Sequence, residues 1–244
     1  MKGVVLAGGL GTRWLPLTRV VNKHLLDVFD EPMVFFPIRS LVAAGIEDIT
    51  LVTGTEMAQF KELLGDGSEL GAQLSYAQQE GEGGIADALA RAEASTDGGP
   101  VVVILGDNIF QENLAPYVDA FRKQGSGAKL LLKRVAVEDA RRFGVAMLDG
   151  DRITGIVEKP IDPPSDLVVS GCYMYDHRVF DIIRSLEPSA RGELEITDVN
   201  NTYIEDGSLT YDVLRGWWTD AGTPPSKLKA SILVALEKGV TFHA

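Results

Sequence analysis

Four short apolar runs rich in β-branched residues, "KGVVLA" (2–7), "DITLVTG" (48–54), "QLSYAQ" (73–78) and "PVVVILGD" (100–107), alternate with helix-like segments near 32–44, 56–64, 84–94 and 112–124. Strands that are apolar almost throughout have both faces buried, and amphipathic helices between them supply the two covering layers. This alternation constrains the chain to an α/β fold with a Rossmann-like, doubly wound, mostly parallel central sheet.

The texture changes after residue 125. "AKLLLKRVA", "GVAMLDGDRITGIVEK" and "VVSGCYMYD" read as strands joined by short turns, with Asp149-Gly150 marking a hairpin. Helices return at 177–187 and 195–206 and again from about 223. These later strands are expected to extend the same sheet and close one side of a cleft. There is no repeat, low-complexity tract or linker, and "IDPPSD" (161–166) is a surface turn, so one domain over 1–244 is the expectation.

A formal charge of −12 repels a phosphate backbone, which argues against nucleic acid as a partner, although a few cations in one cleft can still reverse the local potential. The single cysteine, Cys172, allows no intrachain disulfide and no Cys-rich zinc site, and its apolar surroundings suggest a buried, inert thiol. The first residues lack a signal peptide, and no window approaches the roughly 18 apolar residues of a spanning helix. A cytoplasmic protein with no membrane partner is expected.

Open parallel sheets bind ligands beyond the carboxyl ends of their strands. After the first strand comes "LAGGLGTRW" (6–14), where Gly8, Gly9 and Gly11 let backbone amides approach phosphate oxygens and Arg13 can donate a bidentate pair to them. Trp14 stands where a dinucleotide fingerprint needs glycine, and no Gly-Lys-Ser/Thr follows, so the loop is neither that fingerprint nor a P-loop. A turn that only permits tight packing is the plain alternative. Asp107 in "LGDN" ends the fourth strand, and Asp220 in "WWTDAGT" is a second carboxylate; Mg²⁺ takes one or two carboxylates plus substrate phosphates. Lys23 in "VNKHLL", Lys159 in "IVEKP" and Arg191 in "PSARGELEITD" join Arg13 as cations beside loops or strand ends. Lys159 taken alone is more often a surface residue than a site residue, and Lys23 and Arg191 carry equally little by themselves. Together they suit a polyphosphate with a metal ion.

"LAGGLGTRWLPLT…NKHLL", "VVILGDNIF", "EKP", "PSARGELEITDVNN" and "WWTDAGT", in that order along nearly the whole chain, resemble the bacterial sugar-phosphate nucleotidylyltransferases, and among them most nearly those making dTDP-glucose and pyrophosphate from dTTP and glucose 1-phosphate. The resemblance implies a nucleotide-diphospho-sugar transferase fold, with a nucleotide-binding part over about 1–125 and a sugar-binding part over about 126–244. It implies that Leu6, Gly8, Gly9, Gly11 and Thr12 wrap the nucleotide, that Arg13 and Lys23 bind its triphosphate, and that Gln79 and Gly84 recognise the pyrimidine base. On the sugar side it implies Leu105, Gly144, Glu158, Val169 and Tyr173, with Trp218 packing near the sugar and Lys159 and Arg191 on its phosphate. Asp107 and Asp220 match the Mg²⁺ pair, and Arg13, Lys23, Asp107 and Lys159 are the catalytic set.

In-line attack of a sugar-phosphate oxygen on the α-phosphorus needs no covalent intermediate and no general base, which fits the absence of an obvious histidine base. His24 reads as a loop residue near the triphosphate, and His177 and His243 as surface residues. Asp27 stands where the family usually has proline, losing a rigid turn and adding negative charge near the nucleotide. Phe143 stands where longer relatives often have tyrosine. The chain ends at 244, without the C-terminal helices that complete a regulatory nucleotide site in longer relatives, so weakened feedback inhibition by a dTDP-sugar such as dTDP-rhamnose is expected. Relatives are commonly homo-oligomers, tetramers or dimers. The competing readings are an enzyme using UTP or another hexose 1-phosphate, and a catalytically silent nucleotide-sugar sensor. Retention of the metal pair argues against the sensor.

Overall fold

The computed structural model describes residues 1–9 and 11–241; His243, expected at the surface, lies outside them. The strands are β1 (Lys2–Ala7), β2 (Asp27–Val28), β3 (Glu31–Pro32), β4 (Asp48–Thr53), β5 (Gln73–Gln78), β6 (Val101–Leu105), β7 (Asn108–Phe110), β8 (Ala128–Arg134), β9 (Gly144–Asp149), β10 (Arg152–Glu158), β11 (Leu167–Tyr175), β12 (Leu209–Val213) and β13 (Trp218–Asp220). The helices are α1 (Phe35–Ala43), α2 (Met57–Leu64), α3 (Gly84–Ala90), α4 (Ala115–Gln124), α5 (Val137–Ala140), α6 (Val179–Ser185), α7 (Ile196–Glu205) and α8 (Pro224–Glu237).

Among the described residues nine strands form one mixed sheet, ordered β10-β9-β11-β6-β1-β4-β5, with β8 also paired to β11 and carrying β12. β6, β1, β4 and β5 run parallel, as the apolar runs require. β11 then joins β6 antiparallel, so the later strands do extend the first sheet. The chain moves from β1 through β4 to β5 and returns on the other side of β1 as β6, which makes the carboxyl ends of β1 and β6 the topological switch point. The glycine loop and "LGDN" therefore leave the sheet side by side, and Gly106 N donates to Leu6 O at 2.8 Å.

Side chains alternate across the strands and build two cores. Val4 and Leu6 of β1 face α3, α6 and α7, whereas Val5 and Ala7 face α1, α2 and α4. All nine residues of β11 are buried, because helices cover both its faces. A smaller core of Val28, Met33, Ile109, Ala221, Ala230 and Val234 holds α8 against the β7–β13 ribbon. Cys172 lies inside β11, where burial pushes its thiol pKa far up, as expected of an inert thiol.

One local reading differs. The fourth run, read as one strand to residue 107, stops as a strand at Leu105, turns at Gly106-Asp107 and resumes as β7, so the next helix begins only at Ala115. The hairpin marked by Asp149-Gly150 is present, its turn running through Gly150-Asp151 with Gly150 at φ 59. Among the described residues no helix is long and apolar enough to cross a membrane.

Candidate active site

A cleft of about 610 Å³ opens at the switch point. It is lined by Leu6, Gly8, Gly9, Arg13, Lys23, Gln79, Gly84, Leu105 and Asp107 from the first half of the chain. Gly144, Glu158, Lys159, Val169, Tyr173, Trp218 and Asp220 line it from the second. Gly11, Thr12 and Arg191, also expected at the site, do not line it.

Strand pairing brings the two distant aspartates together. In the β13–β7 ribbon Asp220 is registered opposite Asn108, and Ala221 N donates to Asp107 O at 2.7 Å. A β-carbon on Gly222 would lie 2.6 Å from Asp220 Oδ1, 2.8 Å from Asp107 Oδ2 and 3.5 Å from Arg13 Nη2. The two carboxylates and the arginine of the glycine loop thus converge on one point, which only glycine leaves open.

Lys23 Nζ donates to Asp107 Oδ2 at 2.6 Å, and both side chains are nearly buried. Burial alone would raise the Asp107 pKa, but the Lys23 ammonium, His24 and the Asn108 amide outweigh it and hold the carboxyl below the usual range. Asp220 goes the other way, raised by burial and then by the negative charge of Asp107. Hard carboxylate oxygens that already attract one cation fit a divalent ion. Among the described residues no group of three His, Cys, Asp or Glu forms a further metal cluster.

His24 is buried beside this pair. Burial and then Lys23 push its pKa down to about 3, so it stays neutral near pH 7 and is a poor proton acceptor. Its Nδ1 lies 2.8 Å from Asn22 Oδ1, within the turn that positions Lys23.

Asn108, 2% exposed, was missed from the sequence although it follows Asp107 directly. Its Nδ2 donates to Asp107 Oδ1 at 3.0 Å, while its Oδ1 accepts from Trp218 Nε1 at 2.7 Å and from Gly171 N at 3.0 Å. One amide so ties the metal-type carboxylate to the tryptophan and to β11. Trp14 acts similarly for the glycine loop, donating from Nε1 to Gly222 O at 3.1 Å. Trp218 also packs on Phe143, with ring centroids 5.2 Å apart, a contact worth about 1 kcal/mol beyond burial.

On the opposite wall Glu158 accepts from Thr197 Oγ1 at 2.7 Å and pairs with Lys159 Nζ at 3.0 Å. Lys159 adopts φ 44, the left-handed region unusual for a side-chain-bearing residue, and its N–H donates to Phe143 O at 3.0 Å. Such strain is typical of residues held for function. Tyr173 is buried and its hydroxyl pKa is raised by burial and then by Glu158, so it stays protonated.

Arg191 is held elsewhere. Its Nη2 contacts both carboxylate oxygens of Glu195 at 2.8 Å, and Glu193 and Glu158 stand within 3.7 Å. Arg141 and Arg142 do line the cleft, with Arg142 Nη2 3.7 Å from Asp220 Oδ2 and its guanidinium over the Phe143 ring. Thr197 and Asn200, three apart on α7, face the cleft as well. Their only sequence signal was helical spacing within "EITDVNN". Asp27, expected to bring negative charge near the nucleotide, is instead exposed and paired with Lys227 Nζ at 3.1 Å, outside the cleft lining.

The nucleotidyl transferase family profile matches residues 2–236. The chain belongs to that family. The nucleotidyltransferase is 44% identical over 239 residues to a glucose-1-phosphate thymidylyltransferase of Neisseria gonorrhoeae, covering 96% of this chain and 82% of the relative. It is 38% identical to the low-salt glycan biosynthesis nucleotidyltransferase Agl11 of Haloferax volcanii, covering 98% of this chain and 68% of that one. Among solved structures, a Bacillus anthracis protein assigned as a glucose-1-phosphate thymidylyltransferase, in complex with sucrose, superposes with a TM-score of 0.92 at 47% identity, covering 100% of this chain and 98% of that chain. A UDP-glucose pyrophosphorylase complexed with UDP-glucose gives 0.87 at 25% identity, covering 97% and 98% of the two chains. The enzyme class expected from the sequence thus stands.

Proposed function

We propose that this nucleotidyltransferase transfers the thymidylyl group of dTTP to glucose 1-phosphate, giving dTDP-glucose and pyrophosphate. The convergence of Asp107, Asp220 and Arg13 at the switch point carries the reading, supported by the names of the relatives. The chain then works as one unit, with about 1–125 taking the nucleotide and about 126–244 the sugar phosphate.

Both reactants are anionic, so the chemistry is chiefly charge neutralisation and alignment. Gly8 and Gly9 let the backbone approach the nucleotide, and Arg13 takes the triphosphate. Lys23 turns from Asp107 to the phosphates once that carboxylate is otherwise engaged. Asp107 and Asp220 would hold Mg²⁺, which when bound supplies neutralising charge on the triphosphate. Lys159, on its strained turn, steers the sugar phosphate; Arg191 reaches it only by leaving Glu195, whereas Arg142 gives up only a looser contact to Asp220, at 3.7 Å. Glu158, Thr197 and Asn200 offer acceptors and donors to sugar hydroxyls, and Trp218 closes the apolar side. A phosphate monoester is largely ionised near pH 7, so the neutral His24 is not asked to remove a proton. A cytoplasmic location, where nucleoside triphosphates are kept, goes with this reading.

Pyrophosphate release across a matrix of nucleoside triphosphates and sugar 1-phosphates with Mg²⁺ tests it. The dTTP and glucose 1-phosphate pair is expected to be best, with UTP within about two orders of magnitude because one methyl is worth only about 1–3 kcal/mol. Preference for another sugar would reassign the substrate, and no turnover by folded protein would favour a silent sensor.

A further inference from the structure

Behind the cleft, one carboxylate fixes which face of a glutamine amide the nucleobase meets. Gln79 follows β5 and is 6% exposed. Its Nε2 donates to Gly84 O at 3.0 Å and to Asp87 Oδ2 at 2.9 Å, which uses both amide hydrogens. Turning the amide over would set Oε1 against a carbonyl and a carboxylate, so these partners decide its orientation. Oε1 has no protein donor among the described residues, yet the one buried side-chain polar atom without a partner there is Ser170 Oγ. Gln79 Oε1 therefore keeps access to the cleft that Gln79 lines.

Neighbouring residues preserve this arrangement. A β-carbon on Gly8 would stand 2.7 Å from Gln79 Oε1, and one on Gly83 would stand 2.5 Å from Asp87 Oδ2. Arg91 Nη2 holds the other oxygen of Asp87 at 2.7 Å, leaving Oδ2 turned toward Gln79.

We propose that Asp87 is a positioning residue that sets base specificity: by taking an amide hydrogen of Gln79, it leaves only a carbonyl oxygen facing the base. The pocket then accepts a base that offers an imino N–H, thymine or uracil, and disfavours cytosine, whose N3 is an acceptor. This rests on the reading of the cleft as a nucleoside triphosphate site and adds how the base is chosen there. Asp87 itself does not line the cleft.

Asp87→Asn tests the proposal, since an asparagine can offer its own NH₂ to Gln79 Oε1 and leaves Gly84 O alone to oppose turning that amide over. The ratio of kcat/KM for dTTP to that for CTP is expected to fall at least about tenfold relative to wild type, while the KM for glucose 1-phosphate holds. An unchanged ratio would overturn it. Calorimetric binding of dTDP and CDP to both proteins gives the same comparison without turnover, so loss of the proposed reaction and loss of this proposal remain distinguishable. Should the variant not fold, wild-type protein decides with 3-methylthymidine diphosphate, which lacks the imino hydrogen. Binding at least about a hundredfold weaker than dTDP is expected, and equal binding contradicts the acceptor assignment.

Discussion

Asp107 answers two opposed demands: burial favours its neutral form, while Lys23 at 2.6 Å and the Asn108 amide favour its charge. Asp107→Asn removes the charge without changing the shape, and turnover is expected to fall at least about a hundredfold if the carboxylate acts in the transition state. Near-normal turnover in a folded variant would remove it from the mechanism. Asp107 was legible in the sequence because a carboxylate at the carboxyl end of an apolar strand needs a reason. Asn108, Asp87 and Arg142 were not legible, since their roles lie in partners 110, 8 and 78 positions away, among them Trp218, Gln79 and Asp220. Arg191 shows the converse: its position was legible, but its carboxylate partners were not.

Elements set the site through a few backbone contacts between distant segments. α3 starts at Gly84, whose φ is 93 and whose β-carbon would lie 2.5 Å from Leu194 O, just before α7. Leu194 N in turn donates to Gly83 O at 2.8 Å, so the Gln79 side of the cleft is fastened to the segment carrying Thr197 and Asn200. Gly84→Ala is expected to cost about 1–3 kcal/mol in stability, read as a lowered melting temperature, and to weaken nucleotide binding more than sugar-phosphate binding. An unchanged melting temperature and affinity would show that the junction yields freely. The parallel strands were readable from apolar runs, and the helices from their spacing. The break of the fourth strand into β6 and β7 was not, because β7 exists to pair with β13, a hundred or so residues on, and no local propensity encodes that partner.

Across the whole molecule, a chain of net charge −12 gathers Arg13, Lys23, Arg141, Arg142 and Lys159 at one cleft. Five carboxylates, Glu82, Asp107, Glu158, Glu193 and Asp220, line it too, so the cleft is locally balanced within a negative chain, and it lies where the sheet's strand order reverses. The central claim is that an oxygen of the sugar phosphate becomes bonded to the α-phosphorus of the nucleotide, with the sugar's own phosphorus retained. Incubation of the protein with dTTP, Mg²⁺ and glucose 1-phosphate carrying ³²P tests it most directly. The account predicts that all transferred label appears in dTDP-glucose, as the phosphorus next to glucose, with unlabelled pyrophosphate released in equal amount. Label released as inorganic phosphate or found in pyrophosphate would contradict it.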